Sequence, residues 1–492
     1  MSQNINKFIK QILIYIPGKI IPAIISLSFS AIFTRLFSTE EYGMYSLILA
    51  IVVIITALIS QWLQQSISRY LPEVTSNDEK MLIFNSIGYG IILVVVLCFV
   101  IVLPILFGIQ KLFLHSSFNT TIAAFIFILS GSIFGTLGVI LQAEMKAKEY
   151  VKYNLIKEVI RFSLSIIFVM LVYRNIDSLF WAASLSGLFL IPCLWKRSGI
   201  SNFRALIFIN NHNRIFSYIK KFLVYGFPMV GWFIMANLMN LGDRFIIQYY
   251  RGASEVGIYS ASYYLIQNGT SIIAMPILLA SHPFLVKAWS LKDDKKTGEI
   301  LGEIIFKFTK FSVLLAGFII LFSSEIAGIV LGAEFYEGHR VMAIIFLGVS
   351  IWQISMYTHK PMEFKEKTNQ MFIIAMISTI LNVLLNIAFV PTYGYMAAGY
   401  TTFSSYLFYA IVTTYLGRKH LMWKLNLKKS FFYVMIGLGY IFVLYQIKNV
   451  YLINIDRVKS GLFVLLLLIP ITIFFSNDEL RWLVNNFSRN RR

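Results

Sequence analysis

Five basic residues stand inside, or at the ends of, long apolar stretches. They are Lys19 between Pro17 and Pro22, Arg69 shortly before Pro72, Arg161, Arg35, and Arg244 directly after Asp243. The chemistry open to them is anion pairing. A cation taken out of water costs several kcal/mol until an anion meets it. Each is therefore either a site for a negative group or a stem that snorkels its charge to the interface. Uncharged polar residues that would line such a site are Gln61, Asn237, Asn240, Gln267, Asn382 and Asn386, with Gln64, Gln65 and Asn268 beside them. Asn382 and Asn386 are four apart and share a helix face. The plainer role for these amides is hydrogen bonding between helices. Acids are scarce: Glu144, Glu158, Asp243 and Glu325 all fall near the ends of apolar stretches. Asp243 is the candidate for coupling to an ion or proton, and a local pair with Arg244 is its simpler reading.

The elements that must hold these groups follow from composition. The chain has 492 residues, 58% hydrophobic and 13% charged, with mean hydropathy +0.73. A soluble domain carries about 25% charge, and its surface could not hide this much apolar side chain. Apolar runs of about 17–25 residues suit a bilayer's hydrocarbon core. Fourteen spans are expected, at 12–34, 43–65, 82–107, 120–142, 155–173, 178–195, 222–242, 256–280, 308–332, 339–358, 370–391, 396–416, 430–447 and 460–476. These boundaries carry a margin of about four residues. The start "MSQNINKFIKQIL" runs straight into the first span with no small-residue cleavage site, so this helix is expected to stay.

Lysine and arginine set the orientation. Taking the N-terminus and every second loop as one face, that basic face holds 32 of the 43 basic residues, and the opposite face nine. Both termini are then expected in the cytoplasm. The net charge of +20 reads as this topology signal, aided by anionic lipid, and not as a nucleic-acid surface. Cys98 and Cys193 read as small core residues, with no disulfide framework. No pair among the six histidines has metal-ligand spacing, no P-loop occurs, and "GASEVG" lacks a strand before it. No enzyme, cofactor or metal is expected.

One pattern is written twice. "EEYGMYSL" at 40–47 and "SEVGIYSA" at 254–261 share Glu-x-Gly-x-Tyr-Ser, 214 residues apart. The first precedes span two and the second span eight. A shift of six spans keeps the orientation, so spans 1–6 and 7–12 are expected to be parallel repeats about an axis normal to the membrane. "MKAKE" at 145–149 echoes "MEFKE" at 362–366, 217 apart, after the fourth span of each half. Gly43 and Gly257 would permit a tight turn into the next helix. Tyr45 and Tyr259 would keep their hydroxyls wet at the interface. The expected organisation is an N-lobe (1–195), a basic linker lying along the membrane face (196–221), a C-lobe (222–417), and two further spans with a basic tail (418–492).

At these residues the sequence resembles the Wzx-type polysaccharide flippases, in the superfamily that also holds the MATE multidrug exporters and the lipid II flippase. The resembling stretches are "TRLFSTEEYGMYSL", "YGFPMVGWFIMANLMNLGDRFIIQYYRGASEVGIYSASYYL" and "LNVLLNIAFVPTYGYMAAGYTT". The resemblance implies an all-α, MATE-like two-lobe bundle. It implies alternating access that moves an undecaprenyl-pyrophosphate-linked oligosaccharide across the bacterial inner membrane, for O-antigen, capsule or a related polymer. Membrane lipids, a polysaccharide polymerase and a chain-length regulator are the implied partners. On this reading the pyrophosphate is the anion that Lys19, Arg161, Arg35, Arg244 and, at the entrance, Arg69 would meet. A cation-coupled exporter and a lipid II-type flippase are the alternatives within the superfamily. A membrane polymerase or glycosyltransferase is the distant one, and the short outer loops at 244–255 and 332–340 speak against it.

Overall fold

The computed structural model describes residues 17–74, 76–111, 117–200 and 212–423, with isolated positions between 435 and 446. Span fourteen, most of span thirteen, linker residues 201–211 and the Lys19 side chain lie outside the described residues. Every regular element among them is helical. The order is α1 (Pro17–Leu36), α2 (Thr39–Tyr70), α3 (Asn77–Leu97), α4 (Leu103–Ile109), α5 (Phe118–Ala143), α6 (Ala147–Ile167), α7 (Ile176–Ser198), α8 (His212–Leu241), α9 (Asp243–Arg251), α10 (Ala253–Ser290), α11 (Asp294–Val330), α12 (His339–Thr358), α13 (Lys360–Phe364) and α14 (Thr368–His420). Single π turns, Cys98–Val102 and Phe168–Val172, join α3 to α4 and extend α6. Helices lie at predicted spans one to twelve. Eight of them, among the described residues, are long and apolar enough to cross a membrane.

Local chemistry sets the boundaries. Ser38 and Glu41 form a capping box at the start of α2: Ser38 Oγ accepts from Glu41 N at 3.2 Å, and Glu41 Oε2 from Ser38 N at 2.8 Å. Two of the helix's four orphan N–H groups are satisfied this way. The equivalent Glu255 does different work. It accepts from Tyr395 N at 2.9 Å and pairs with Arg251 at 2.8 Å. Tyr395 follows Gly394, whose φ of 59° and ψ of −148° break α14. The break folds α14 into two antiparallel limbs. Asn382 Nδ2 reaches Thr402 Oγ1 at 3.2 Å, although on a straight helix the two would be about 30 Å apart. Spans eleven and twelve are these limbs.

Three predicted features need correction. The glycines of the repeat do not serve a turn; they let α2 and α10 cross with their backbones in contact. A Cβ at Gly43 would lie on the Ala253 carbonyl oxygen, 3.0 Å from Gly257 N. A Cβ at Gly257 would lie on the Thr39 carbonyl oxygen, 3.2 Å from Gly43 N. Ala253 and Thr39 each precede the neighbouring glycine by four residues, so the contact is reciprocal, as a two-fold axis requires. The repeated tyrosines are not wet: Tyr45 is 6% and Tyr259 0% exposed. The Met-x-x-Lys-Glu echo is also out of register. Lys146 N bonds Leu141 O around Met145, at φ 60°, as Lys367 N bonds Met362 O around Glu366, at φ 57°. Both turns are Schellman caps, 221 residues apart. Cys98 is buried as expected, whereas Cys193 faces outward.

Candidate functional site

α6 begins at Ala147, eight residues before the predicted span. Lys148 and Lys152 hide its first turns from a hydropathy reading. Arg161 lies about 21 Å along the helix axis from Ala147, near the midpoint of Ala147–Val172. It belongs to a cluster with Lys157 and Glu158. Glu158 Oε2 lies 2.7 Å from Arg161 Nη2, and Oε1 lies 3.6 Å from Lys157 Nζ. Each of the three side chains retains about a fifth of its exposure. The Lys157 ammonium sits 4.7 Å from the centre of the Phe134 ring on α5, and the Arg161 guanidinium 5.5 Å from Phe29 on α1. Both ring faces attract the cations. Arg161 Nε is buried with no hydrogen-bond acceptor among the described residues. Two cations and one carboxylate leave the cluster with one net positive charge.

The second charged site is at the junction of α8 and α9. Asp243 and Arg244 are both 0% exposed. Arg244 Nη1 donates to Asp243 Oδ1 at 3.2 Å and to Asn240 O at 2.8 Å, and Nε donates to Ser260 Oγ at 3.1 Å. The rings of Tyr259, Tyr263 and Tyr264 surround the guanidinium at 5.0–5.7 Å. Asp243 Oδ2 accepts from Tyr259 OH at 2.5 Å and from Thr402 Oγ1 at 3.2 Å. Asn382 continues this network to Thr402, and Asn386 Nδ2 donates to Asn382 at 2.9 Å. The local ion pair is thus the role observed. Arg244 Nη2 is buried with no hydrogen-bond acceptor among the described residues, and a buried pair of this kind is costly to break.

The other predicted residues are scattered. Arg35 caps a helix in the other half: its guanidinium donates to Val330 O at 2.8 Å and Ile329 O at 2.5 Å, the last carbonyls of α11. Arg69 is exposed at the basic end of α2 and pairs with Glu73 at 3.3 Å. Gln61 accepts from Gln65 at 3.3 Å, and Asn237 bonds its own helix at Phe233 O, 2.8 Å. Gln267 is half-buried on α10. Asn240 and Asn386 each keep a buried amide oxygen with no donor among the described residues. The structure brings Asp243, Arg244, Asn240, Asn382 and Asn386 together and leaves Arg161 with partners that sequence reasoning missed. Lys157 falls inside the expected span at 155–173, and its i, i+4 spacing from Arg161 was the available signal.

α2 meets the second half at both ends. Near the opposite face it crosses α10 at Gly43, and Thr39 Oγ1 lies 2.8 Å from Ser254 Oγ. Near the basic face a Cβ at Gly226 on α8 would lie on the Trp62 carbonyl oxygen. There Ser66 Oγ donates to Phe222 O at 2.8 Å, and Lys221 Nζ stands 4.1 Å above Tyr70. The bundle is helical, and its halves touch at both ends of α2. Its fold is similar to the lipid II flippase MurJ in an inward closed conformation (TM-score 0.74, 16% identity, covering 96% of this chain and 100% of that one). It is similar also to an inward-facing MATE family multidrug transporter (0.65, 14%, 82% and 94%). A MOP superfamily transporter from Pyrococcus furiosus is a third similar structure (0.61, 14%, 83% and 95%). No curated protein sequence matches the chain. The family model described as "Polysaccharide biosynthesis protein" matches residues 8–289, and the chain belongs to that family.

Proposed function

We propose that the protein is a flippase that carries an undecaprenyl-pyrophosphate-linked oligosaccharide from the cytoplasmic to the outer leaflet of the bacterial inner membrane, for O-antigen, capsule or a related surface polysaccharide. The observation that carries this reading is the α6 cluster: a net positive charge held at mid-helix and partly exposed. An anion offsets the cost of keeping that charge in hydrocarbon, and the carrier's pyrophosphate is such an anion. The lobes are residues 1–195 and 222–417, with both termini in the cytoplasm. Alternating access works by opening the α2–α8 contact on one face and the α2–α10 contact on the other. Lys19, on the first helix between two prolines, is a second cation for the same headgroup. A polymerase and a chain-length regulator are its partners downstream. The exporter reading needs an acid free to exchange an ion or proton, whereas Asp243 is bonded by Arg244, Tyr259 and Thr402.

The test is transfer of a labelled undecaprenyl-pyrophosphate-linked saccharide between leaflets of proteoliposomes. Transfer above protein-free vesicles is expected. Transfer equal to protein-free vesicles, with export of a lipophilic cation dye instead, would replace this reading by the exporter.

A further inference from the structure

The carboxylate in the middle of the α6 cluster has no place in a simple cation trap. Glu158 cancels half of the charge that Lys157 and Arg161 supply. It does so from inside, with one oxygen on each cation, at 2.7 Å and 3.6 Å. The pairing is also incomplete. Glu158 is three residues before Arg161 and meets only its Nη2, leaving Nε buried and, among the described residues, without an acceptor. A bidentate arginine–carboxylate contact would have used Nε and Nη together. The guanidinium thus keeps one donor aimed away from its internal partner, and the Lys157 contact at 3.6 Å is longer than a hydrogen bond.

We infer that Glu158 is a resident counter-ion, a positioning residue that stands in for the substrate's phosphate when the protein is empty. This rests on the flippase reading and adds to it a reason why the carrier can return unloaded. Without a carboxylate, two unpaired cations would have to be carried through the bundle on each empty stroke, at several kcal/mol each. With it, the empty cluster carries one. A pyrophosphate then takes Arg161 Nε and the Lys157 ammonium and displaces the carboxylate, which still has about a fifth of its surface open to move into. The same device sets specificity. A ligand must carry enough charge to compete with a carboxylate already in contact, so a monoanionic headgroup competes poorly and a pyrophosphate well.

The experiment compares Glu158→Gln and Glu158→Asp with wild type in two assays. The first is binding of a short-chain prenyl pyrophosphate to the full-length protein in detergent. The second is KM and kcat for leaflet transfer of the lipid-linked saccharide. Glu158→Gln keeps the shape and removes the competitor. It is expected to tighten binding and lower KM by about tenfold, the equivalent of about 1.4 kcal/mol, while kcat falls because the empty return slows. Glu158→Asp restores a carboxylate and is expected to move both values back toward wild type. Weaker or unchanged binding by Glu158→Gln overturns the proposal, as does a kcat loss that Glu158→Asp shares in full. Absence of transfer by wild-type protein would remove the flippase reading alone, because the binding comparison is made without transport.

Discussion

The two halves of the molecule hold their charges differently. In the first, one glutamate lies between a lysine and an arginine, the sum is positive, and about a fifth of each side chain remains open. In the second, one aspartate meets one arginine, the sum is zero, and neither is exposed at all. The frame around them is alike: α2 and α10 cross at Gly43 and Gly257 by the same reciprocal contact. A closed, neutral pair fixes structure. An open pair with a charge left over can change partners. Truncating each arginine separates the two. Arg244→Ala leaves a fully buried carboxylate with hydroxyl partners only, and breaking such a pair costs about 3–5 kcal/mol. A large drop in unfolding temperature and in yield of folded protein is expected. If Arg244→Ala unfolds like wild type, the second site is not the structural one.

Arg161→Ala is next in size and acts on a different readout. It removes the cluster's excess charge, and losing one member of a desolvated pair with the ligand costs about 2–5 kcal/mol of binding. Leaflet transfer of the lipid-linked saccharide should fall at least tenfold through KM, with a smaller change in unfolding temperature than Arg244→Ala produces. Equal thermal losses and equal transport losses for the two variants would erase the contrast.

The frame was legible in the sequence and the contrast was not. Glu-x-Gly-x-Tyr-Ser could be seen twice because a backbone crossing admits only glycine, and that demand leaves a letter in the chain. Its tyrosines were misplaced because a tyrosine near a predicted interface usually keeps its hydroxyl in water, whereas Tyr259 spends its own on Asp243. Arg35 could not be read at all: its partners are carbonyls nearly 300 residues away, and a carbonyl has no letter. The mid-helix position of Arg161 was lost to Lys148 and Lys152, which made the first turns of α6 look like a loop. Charged residues in the first turns of a helix are the ones a hydropathy profile discards.

The crossing itself should respond evenly where the charges do not. A methyl at either glycine would sit on a carbonyl oxygen of the partner helix, and backbone cannot step aside as a side chain can. Gly43→Ala and Gly257→Ala should each cost about 1–3 kcal/mol, the usual range for overpacking. They should lower the unfolding temperature by the same amount within error. A marked inequality between them would mean that the reciprocal contact is not a shared axis.

The smallest effect comes from a third cluster with nearly the same composition. At the basic face Glu144 lies 2.8 Å from Lys80 and 2.6 Å from Lys146, again one carboxylate between two cations. Here the lysines are 46% and 42% exposed. Partial burial pushes the Glu144 carboxyl up, but the hydrogen bonds and charges of Lys146 and Lys80 outweigh it and hold the group below its ordinary value of 4.5. A carboxyl depressed in the folded state stabilises above its unfolded pKa and loses that contribution as pH falls through the folded value. Wild type should therefore lose a little stability below about pH 4.5 that Glu144→Gln does not have to lose. The difference at neutral pH should stay within about 0–1 kcal/mol, as for other exposed pairs. Transport should be untouched. One glutamate between two cations is a minor clasp where water screens it. On the proposed reading, the same arithmetic becomes a substrate switch where α6 leaves it less exposed to water. If Glu144→Gln changed transport as Glu158→Gln is expected to, depth would not be what distinguishes them.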